Sequence, residues 1–174
     1  MTKKLSLLFL IFSLLISCKK DAVEPHLEFN SIRIVNGFFD ILGNPADSLE
    51  LFLDYSDGDA NFGMPSPSDT ILYNCTVTFY KKSNGEFILI GDDFIENPKD
   101  FTITEINEPN RTYNMGPVIV RTKSVYNGEI QINFLLVGYY NPYNIGDTLK
   151  ITVQITDNDN NKSNIAAMDK VYSY

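Results

Sequence analysis

Apolar and polar residues alternate with a period of two along most of the chain after residue 26. The pattern is clearest from Leu149 to Thr156, and it recurs from Leu49 to Tyr55 and from Glu129 to Val137. Successive side chains of a strand point to opposite faces of its sheet, so this alternation predicts strands with one face in a core. Shorter strands are predicted at Ile32–Ile34, Cys75–Tyr80, Phe87–Ile90, Val118–Arg121 and Ile165–Tyr172.

Two Asn-Gly pairs mark predicted tight turns, since both residue types accept positive φ. One is Ser83-Asn84-Gly85, and the other is Asn127-Gly128. The segment from Asp92 to Gly116 is predicted to be irregular, and no strong helical period follows the first eighteen residues. About seven short strands predict an all-β fold, an antiparallel sandwich of the Ig-like or fibronectin-like type. An antibody-type domain is excluded because the chain has no Trp.

The chain begins with a different pattern, an apolar run without a polar face. Lys3 and Lys4 precede the run from Leu5 to Ile16, and Cys18 follows it. A spanning helix needs about 20 apolar residues, so this basic start and short apolar core are typical of an export signal. The segment resembles the lipobox of bacterial lipoproteins. An uncleaved buried helix, or secretion with cleavage elsewhere, are the alternatives.

The lipobox resemblance implies a division of the chain into three parts. Residues 1–17 are expected to be a removed signal peptide, residues 18–26 the acylated Cys18 with a flexible tether, and residues 27–174 the sandwich domain. Lys19, rather than an Asp, follows the cysteine, which favours the outer membrane. The sequence leaves open whether the domain lies on the periplasmic or the surface face.

Charge and rare residues exclude several classes of function. The net charge is −8, and removing a leader with Lys3 and Lys4 makes the remainder more acidic, so nucleic acid is excluded as a partner. His26, the only histidine, is expected at the end of the tether, which excludes His-based triads and multi-histidine metal sites from the folded part. Cys75 shares a predicted core face with Val77 and is expected to be a buried, inert thiol.

Three segments, residues 49–59, 127–130 and 155–164, carry a further resemblance. Together they resemble a group of small Bacteroidota lipoproteins of unknown function with Ig-like folds. In that group the first segment usually continues through Asp-Gly-Asp-Gly-Asp to a Gly, whereas Ala60, Asn61 and Phe62 stand here before Gly63. The resemblance implies a fold and a location but no activity.

The pattern Asp-x-Asp-x-Asn occurs twice, each time directly after a predicted strand. In an Ig-like strand order the two loops lie at the same end of the sandwich. Calcium favours clustered carboxylate and amide oxygens, so one hypothesis is a shared Ca²⁺ that rigidifies the end distal to the anchor. The alternative is turn chemistry, and neither loop has the Gly and Glu of an EF-hand. The candidate ligands are Asp57, Asp59, Asn61, Asp157, Asp159 and Asn161.

A tyrosine cluster between two predicted strands is a second candidate site. Tyr139, Tyr140 and Tyr143 offer rigid amphipathic area for a glycan or a protein. The alternative is structural packing, since a tyrosine near this corner often hydrogen-bonds the backbone in Ig-like sandwiches.

No catalytic constellation is recognisable in the sequence. Glycoside hydrolysis needs a matched pair of carboxylates, and no feature selects one pair among the acidic residues of the irregular segment. The predicted function is a non-catalytic binding or accessory lipoprotein of the outer membrane. A carbohydrate-binding or adhesion lipoprotein is the first alternative, and a small hydrolase is the second. The four carboxylates considered are Asp92, Asp93, Glu105 and Glu108.

Overall fold

Ten β-strands make up the described part of the chain. The computed structural model describes residues 24–39, 42–43, 45–62, 74–90, 99–101, 112–115, 118–124, 126–137 and 146–171. The first five strands are β1 (His26–Phe39), β2 (Pro45–Ser56), β3 (Cys75–Ser83), β4 (Glu86–Leu89) and β5 (Lys99–Phe101). The others are β6 (Thr112–Met115), β7 (Val118–Ser124), β8 (Asn127–Val137), β9 (Thr148–Ile155) and β10 (Ala166–Val171).

The strands form two antiparallel sheets that pack face to face. One sheet has the order β1-β2-β8-β7-β6, and the other has the order β10-β9-β3-β4, with β5 also paired to β3. This arrangement confirms the predicted all-β sandwich. The order agrees with an immunoglobulin-type sandwich, in which strands A, B, E and D form one sheet and strands C, F and G form the other.

The apolar residues of the alternating pattern are the ones that are buried in the structure. Every second residue of β9, from Leu149 to Ile155, lies in the core, and the residues between them are half-buried. Leu49, Leu51 and Leu53 of β2 are also fully buried. Burying each such side chain contributes roughly 1.5–3 kcal/mol. The two inner faces interlock where the rings of Phe79 and Phe134 meet edge to face, with centroids 5.0 Å apart.

The free cysteine lies in this core. Cys75 is 1% exposed on β3, on the same face as Val77 and Phe79. Burial, with a smaller effect of the Asp100 charge, raises the pKa of the thiol to about 12. The prediction of a buried thiol is therefore confirmed. The thiolate is the reactive form, so the raised pKa suppresses the reactivity of Cys75.

The hairpin predicted at Asn84-Gly85 is confirmed. Ser83 pairs with Glu86 across it, and Asn84 and Gly85 have φ of 51° and 90°. Two successive positive φ angles are those of a type I′ turn, whose twist matches the flanking strands.

The turn predicted at Asn127-Gly128 is wrong. The chain turns earlier, because Ser124 already pairs with Asn127, and Gly128 lies in the ladder opposite Tyr55. A Cβ on Gly128 would come within 2.5 Å of the Arg121 carbonyl oxygen and within 2.7 Å of Cε1 of Tyr55. This position therefore needs glycine because the β7 backbone and a buried ring approach it closely, not because the chain turns there.

Two strands lie in the segment predicted to be irregular. β5 has three residues and β6 has four. Runs of this length are too short to show a clear alternation in sequence. Within the part of the chain that the structure describes, no helix has the length and apolarity to cross a bilayer.

Candidate functional site

Several connections meet at one end of the sandwich, which we call the acidic end. Residues 57–62 follow β2 and form the first loop, and residues 156–164 follow β9 and form the second loop. The β7–β8 turn joins them there, because the Asp57 N–H donates to the Tyr126 carbonyl at 2.7 Å. β1 also begins at this end, where His26 pairs with Ser56.

The two Asp-x-Asp-x-Asn segments touch each other at the acidic end, as predicted. Asn61 Nδ2 donates to Asp59 Oδ2 at 3.1 Å and, across the loops, to Asp159 Oδ2 at 2.9 Å. One carboxylate oxygen from each of Asp57, Asp59 and Asp157 lies within 4.8 Å of the other two. Among the described residues no basic side chain forms an ion pair with these three carboxylates.

Asp157 organises the second loop by turn chemistry. Its side chain is 1% exposed, and Oδ1 accepts hydrogen bonds from the N–H groups of Asp159 and Asn161, at 2.9 and 2.7 Å. Its Oδ2 accepts one from Asn161 Nδ2 at 2.8 Å. Both carboxylate oxygens are therefore satisfied within the loop. The Asn161 side chain, a predicted cation ligand, instead caps Asp157.

Asp57 occupies the equivalent position in the first loop but is incompletely satisfied. It is also 1% exposed, and Oδ2 accepts the Phe62 N–H at 2.6 Å. Its Oδ1 is buried and has no hydrogen-bond partner among the described residues, and the same holds for Asn61 Oδ1. Burial, together with the neighbouring Asp59 carboxylate, raises the pKa of Asp57 to about 6. Charge at this position is therefore costly without a partner.

Phe62 fixes the first loop to the core. It is 3% exposed, and its ring meets the Tyr55 ring edge to face, with centroids 5.3 Å apart. In the sequence, Phe62 stands out only as a departure from a glycine pattern. A large apolar residue directly after a polar loop is the signal that would have identified this contact.

Asn164 ties the second loop to the start of β1. Its Oδ1 accepts the Leu27 N–H at 2.8 Å, and its Nδ2 donates to the Leu27 carbonyl at 2.9 Å. Buried Ser163 supports this contact, because its hydroxyl donates to the Asn164 carbonyl at 2.7 Å and accepts the Ile155 N–H at 3.0 Å. Sequence reasoning assigned no role to either residue.

The hypothesis that the Asp-rich loops form the end distal to the anchor does not agree with the course of β1. The described chain enters the domain at the acidic end, since β1 starts there at His26. His26 is also a strand residue rather than part of the tether. The first strand after Cys18 in the sequence therefore starts at the acidic end.

A cavity of about 370 Å³ lies beside the acidic cluster. Ser56, His26 and Asp57 line it together, which brings the residue types of a hydrolytic triad to one place. Among the described residues, however, no hydrogen bond joins these three side chains, and Asp57 Oδ2 is taken by Phe62. The relay that activates a serine is built from those bonds.

Several predicted functional residues lie outside the described residues. They are Cys18, the tyrosines Tyr139, Tyr140 and Tyr143, and the carboxylates Asp92, Asp93, Glu105 and Glu108. No protein-family model, curated protein or solved structure matches this chain.

Proposed function

We propose that this chain is a lipoprotein of the bacterial outer membrane whose sandwich domain acts by binding, as a non-catalytic or accessory module. The leader carries the proposal: Lys3 and Lys4, the apolar run, and Cys18 in the lipobox position. One acyl chain holds a protein only weakly, but bacterial lipoproteins carry a diacylglyceryl group and an N-acyl chain. Attachment of this kind makes a stable anchor.

The position of β1 supports an orientation for the anchored domain. Since β1 begins eight residues after Cys18, the acidic end would lie on the membrane side. The opposite end, which contains the Asn84-Gly85 hairpin, would then point away from the membrane. A partner is expected to meet the domain there.

Exposed apolar side chains support binding at the end away from the anchor. Phe39 is 66% exposed at the far end of β1, and Leu42 is 81% exposed in the connection that follows. Ile88 and Leu89 of β4 are each 53% exposed. Large exposed apolar groups are enriched where proteins bind partners.

Mass spectrometry of the native protein tests the anchor. The expected N-terminal peptide begins at Cys18 and carries the mass of the acyl groups, and the protein sediments with the outer membrane. Cys18→Ala should abolish the modification, whereas the matched variant Cys75→Ala should retain it. An unmodified Cys18, or a retained leader in the wild-type protein, would contradict the proposal.

Co-purification from solubilised membranes tests the binding role. Phe39→Ser is expected to lose a partner that the wild-type protein and the control Thr78→Ser both retain. Glycan arrays distinguish the carbohydrate-binding alternative, since reproducible binding to one glycan class would favour it. Protease shaving of whole cells determines the membrane face.

A further inference from the structure

We propose that the acidic end binds one Ca²⁺ ion that joins the first loop to the second. The carboxylates of Asp57, Asp59 and Asp157 would be its charged ligands, and the amide oxygen of Asn61 a neutral one. The proposal is independent of the lipid anchor, because it depends only on residues of the sandwich.

The spacing of the carboxylates fits a calcium ion. Ca²⁺–oxygen distances are about 2.3–2.6 Å, so two ligands on opposite sides of the ion lie about 5 Å apart. The three carboxylate oxygens lie within 4.8 Å of one another. They come from two loops almost a hundred residues apart in sequence, and Asn61 already bridges these loops through Asp159 at 2.9 Å.

An orphaned oxygen points independently to a ligand. Asp57 is 1% exposed, its carboxylate faces the other two, and its Oδ1 has no partner among the described residues. Buried carboxylates are normally paired, hydrogen-bonded or bound to a metal. The amide oxygen of Asn61 is buried as well and has no partner in the described part of the chain. A cation held by the three carboxylates would satisfy the Asp57 oxygen.

The donor set selects among cations. All the proposed ligand atoms are oxygens, which suits hard ions, and neither His nor Cys takes part. Mg²⁺ demands near-ideal octahedral geometry and keeps several waters, whereas Ca²⁺ accepts six to eight oxygens in irregular arrangements. Four protein side chains that each offer one oxygen, completed by water, suit calcium better.

Binding would also order the start of β1. The ion would hold the first and second loops together, and the second loop grips the backbone of Leu27 through Asn164. Hydrogen exchange at the Leu27 and Phe62 amides is therefore expected to slow when calcium is added. Unchanged exchange at both amides during binding would place the ion elsewhere.

Calorimetry and melting of the detergent-solubilised full protein test the site directly. Titration with CaCl₂ should show one site per chain with a Kd of about 10⁻⁴–10⁻³ M. The melting temperature should rise by about 5 °C at roughly 10 mM calcium, and by much less with MgCl₂. No heat and identical melting temperatures, or equal responses to both ions, would overturn the proposal.

Matched variants locate the site. Asp59→Asn should weaken calcium binding about 10-fold or more, and Asp57→Asn should act similarly while still accepting the Phe62 N–H. Asp169→Asn, at an exposed position of β10, is the control and should bind as the wild type does. Asp59 is exposed, so its variant keeps the test informative if Asp57→Asn does not fold. Undiminished binding by a folded Asp59→Asn variant would overturn the assignment.

Discussion

The first and second loops carry the same sequence pattern but differ in how well their polar groups are satisfied. Both bend at the fourth position, where Ala60 has φ of 59° and Asn160 has φ of 65°. Asp157 places both carboxylate oxygens in hydrogen bonds within its own loop. Asp57 leaves one buried oxygen without a hydrogen-bond partner among the residues that the structure describes.

The difference shows that one motif can be a complete turn in one place and an incomplete site in another. Asparagine adopts the left-handed conformation readily, whereas for alanine it costs about 1–2 kcal/mol. The first loop therefore carries both a backbone cost and an uncompensated charge. The second loop carries neither, and it can form without help from outside the protein.

The largest effect is expected from removing the contact that fixes the first loop to the core. Phe62→Ala should lower the free energy of unfolding by about 3–5 kcal/mol, because it leaves a cavity beside Tyr55. Urea denaturation measures it. Phe87→Ala, at a half-buried position of β4, is the control and should cost clearly less. Equal losses would mean that the core does not hold this loop.

The second loop should be the more sensitive to loss of its aspartate. Asp157→Ala removes three hydrogen bonds to a buried carboxylate and leaves two N–H groups without that partner, so we expect a loss of about 2–4 kcal/mol. The free energy of unfolding is measured with chelator present, so that calcium does not contribute to it. A loss no larger than that of Asp169→Ala would show that the turn does not depend on Asp157.

The effect of Asp57→Asn on the free energy of unfolding should change sign when calcium is added. With chelator at pH 8 it should stabilise the protein by on the order of 1–2 kcal/mol, because it removes an unpaired buried charge. With calcium the wild type should be the more stable. Identical effects in chelator and calcium would separate Asp57 from any cation.

The pH dependence of stability, compared between the wild type and Asp57→Asn, sharpens this test. The folded pKa of Asp57 is raised to about 6, so its protonated form favours the folded state. In chelator, this contribution is fully present below about pH 4 and is lost as the pH rises through about 6. The stability difference between the wild type and Asp57→Asn should follow that course. A difference independent of pH would contradict the raised pKa.

The smallest effect concerns backbone conformation alone. Ala60→Gly should stabilise the protein by about 0.5–1 kcal/mol, because glycine adopts positive φ without a Cβ clash. Asn160→Gly should change stability by only a few tenths of that, since asparagine already tolerates this conformation. Differential scanning calorimetry compares the two. Destabilisation by Ala60→Gly would mean that the Ala60 methyl group has packing that outweighs the strain.

The sandwich could be predicted wherever a strand is long and its neighbours bury one face. β2 and β9 satisfy this condition, and their alternation predicted them directly. Gly128 could not be interpreted from its neighbours in sequence, because the Arg121 carbonyl and the Tyr55 ring that approach it belong to other strands. β5 and β6 are defined by pairing to distant strands rather than by a local pattern.

The candidate site was predictable in part of its membership but not in its electrostatics, since Asp159 and Asn161 are not among the ligands now proposed. The repeated motif placed Asp57 and Asp157 at the same end of the sandwich. Which of their oxygens is unpaired depends on Phe62 and Asn161, whose hydrogen bonds arise only from the folded loops. The direction from which the chain arrives depends on the pairing of His26 with Ser56, which the alternation left undefined.

The antiparallel pairing of β1 with β2 has a mechanical consequence. β1 begins at the acidic end and runs to the opposite end, held along its length by the β2 ladder. Tension applied ahead of His26, while the far end is held, acts along the strand axis and shears many ladder bonds together instead of unzipping them singly. Resistance to such a pull depends on the unfolding rate under force. The hydrogen bonds between Asn164 and the Leu27 backbone lie nearest the point where the force is applied.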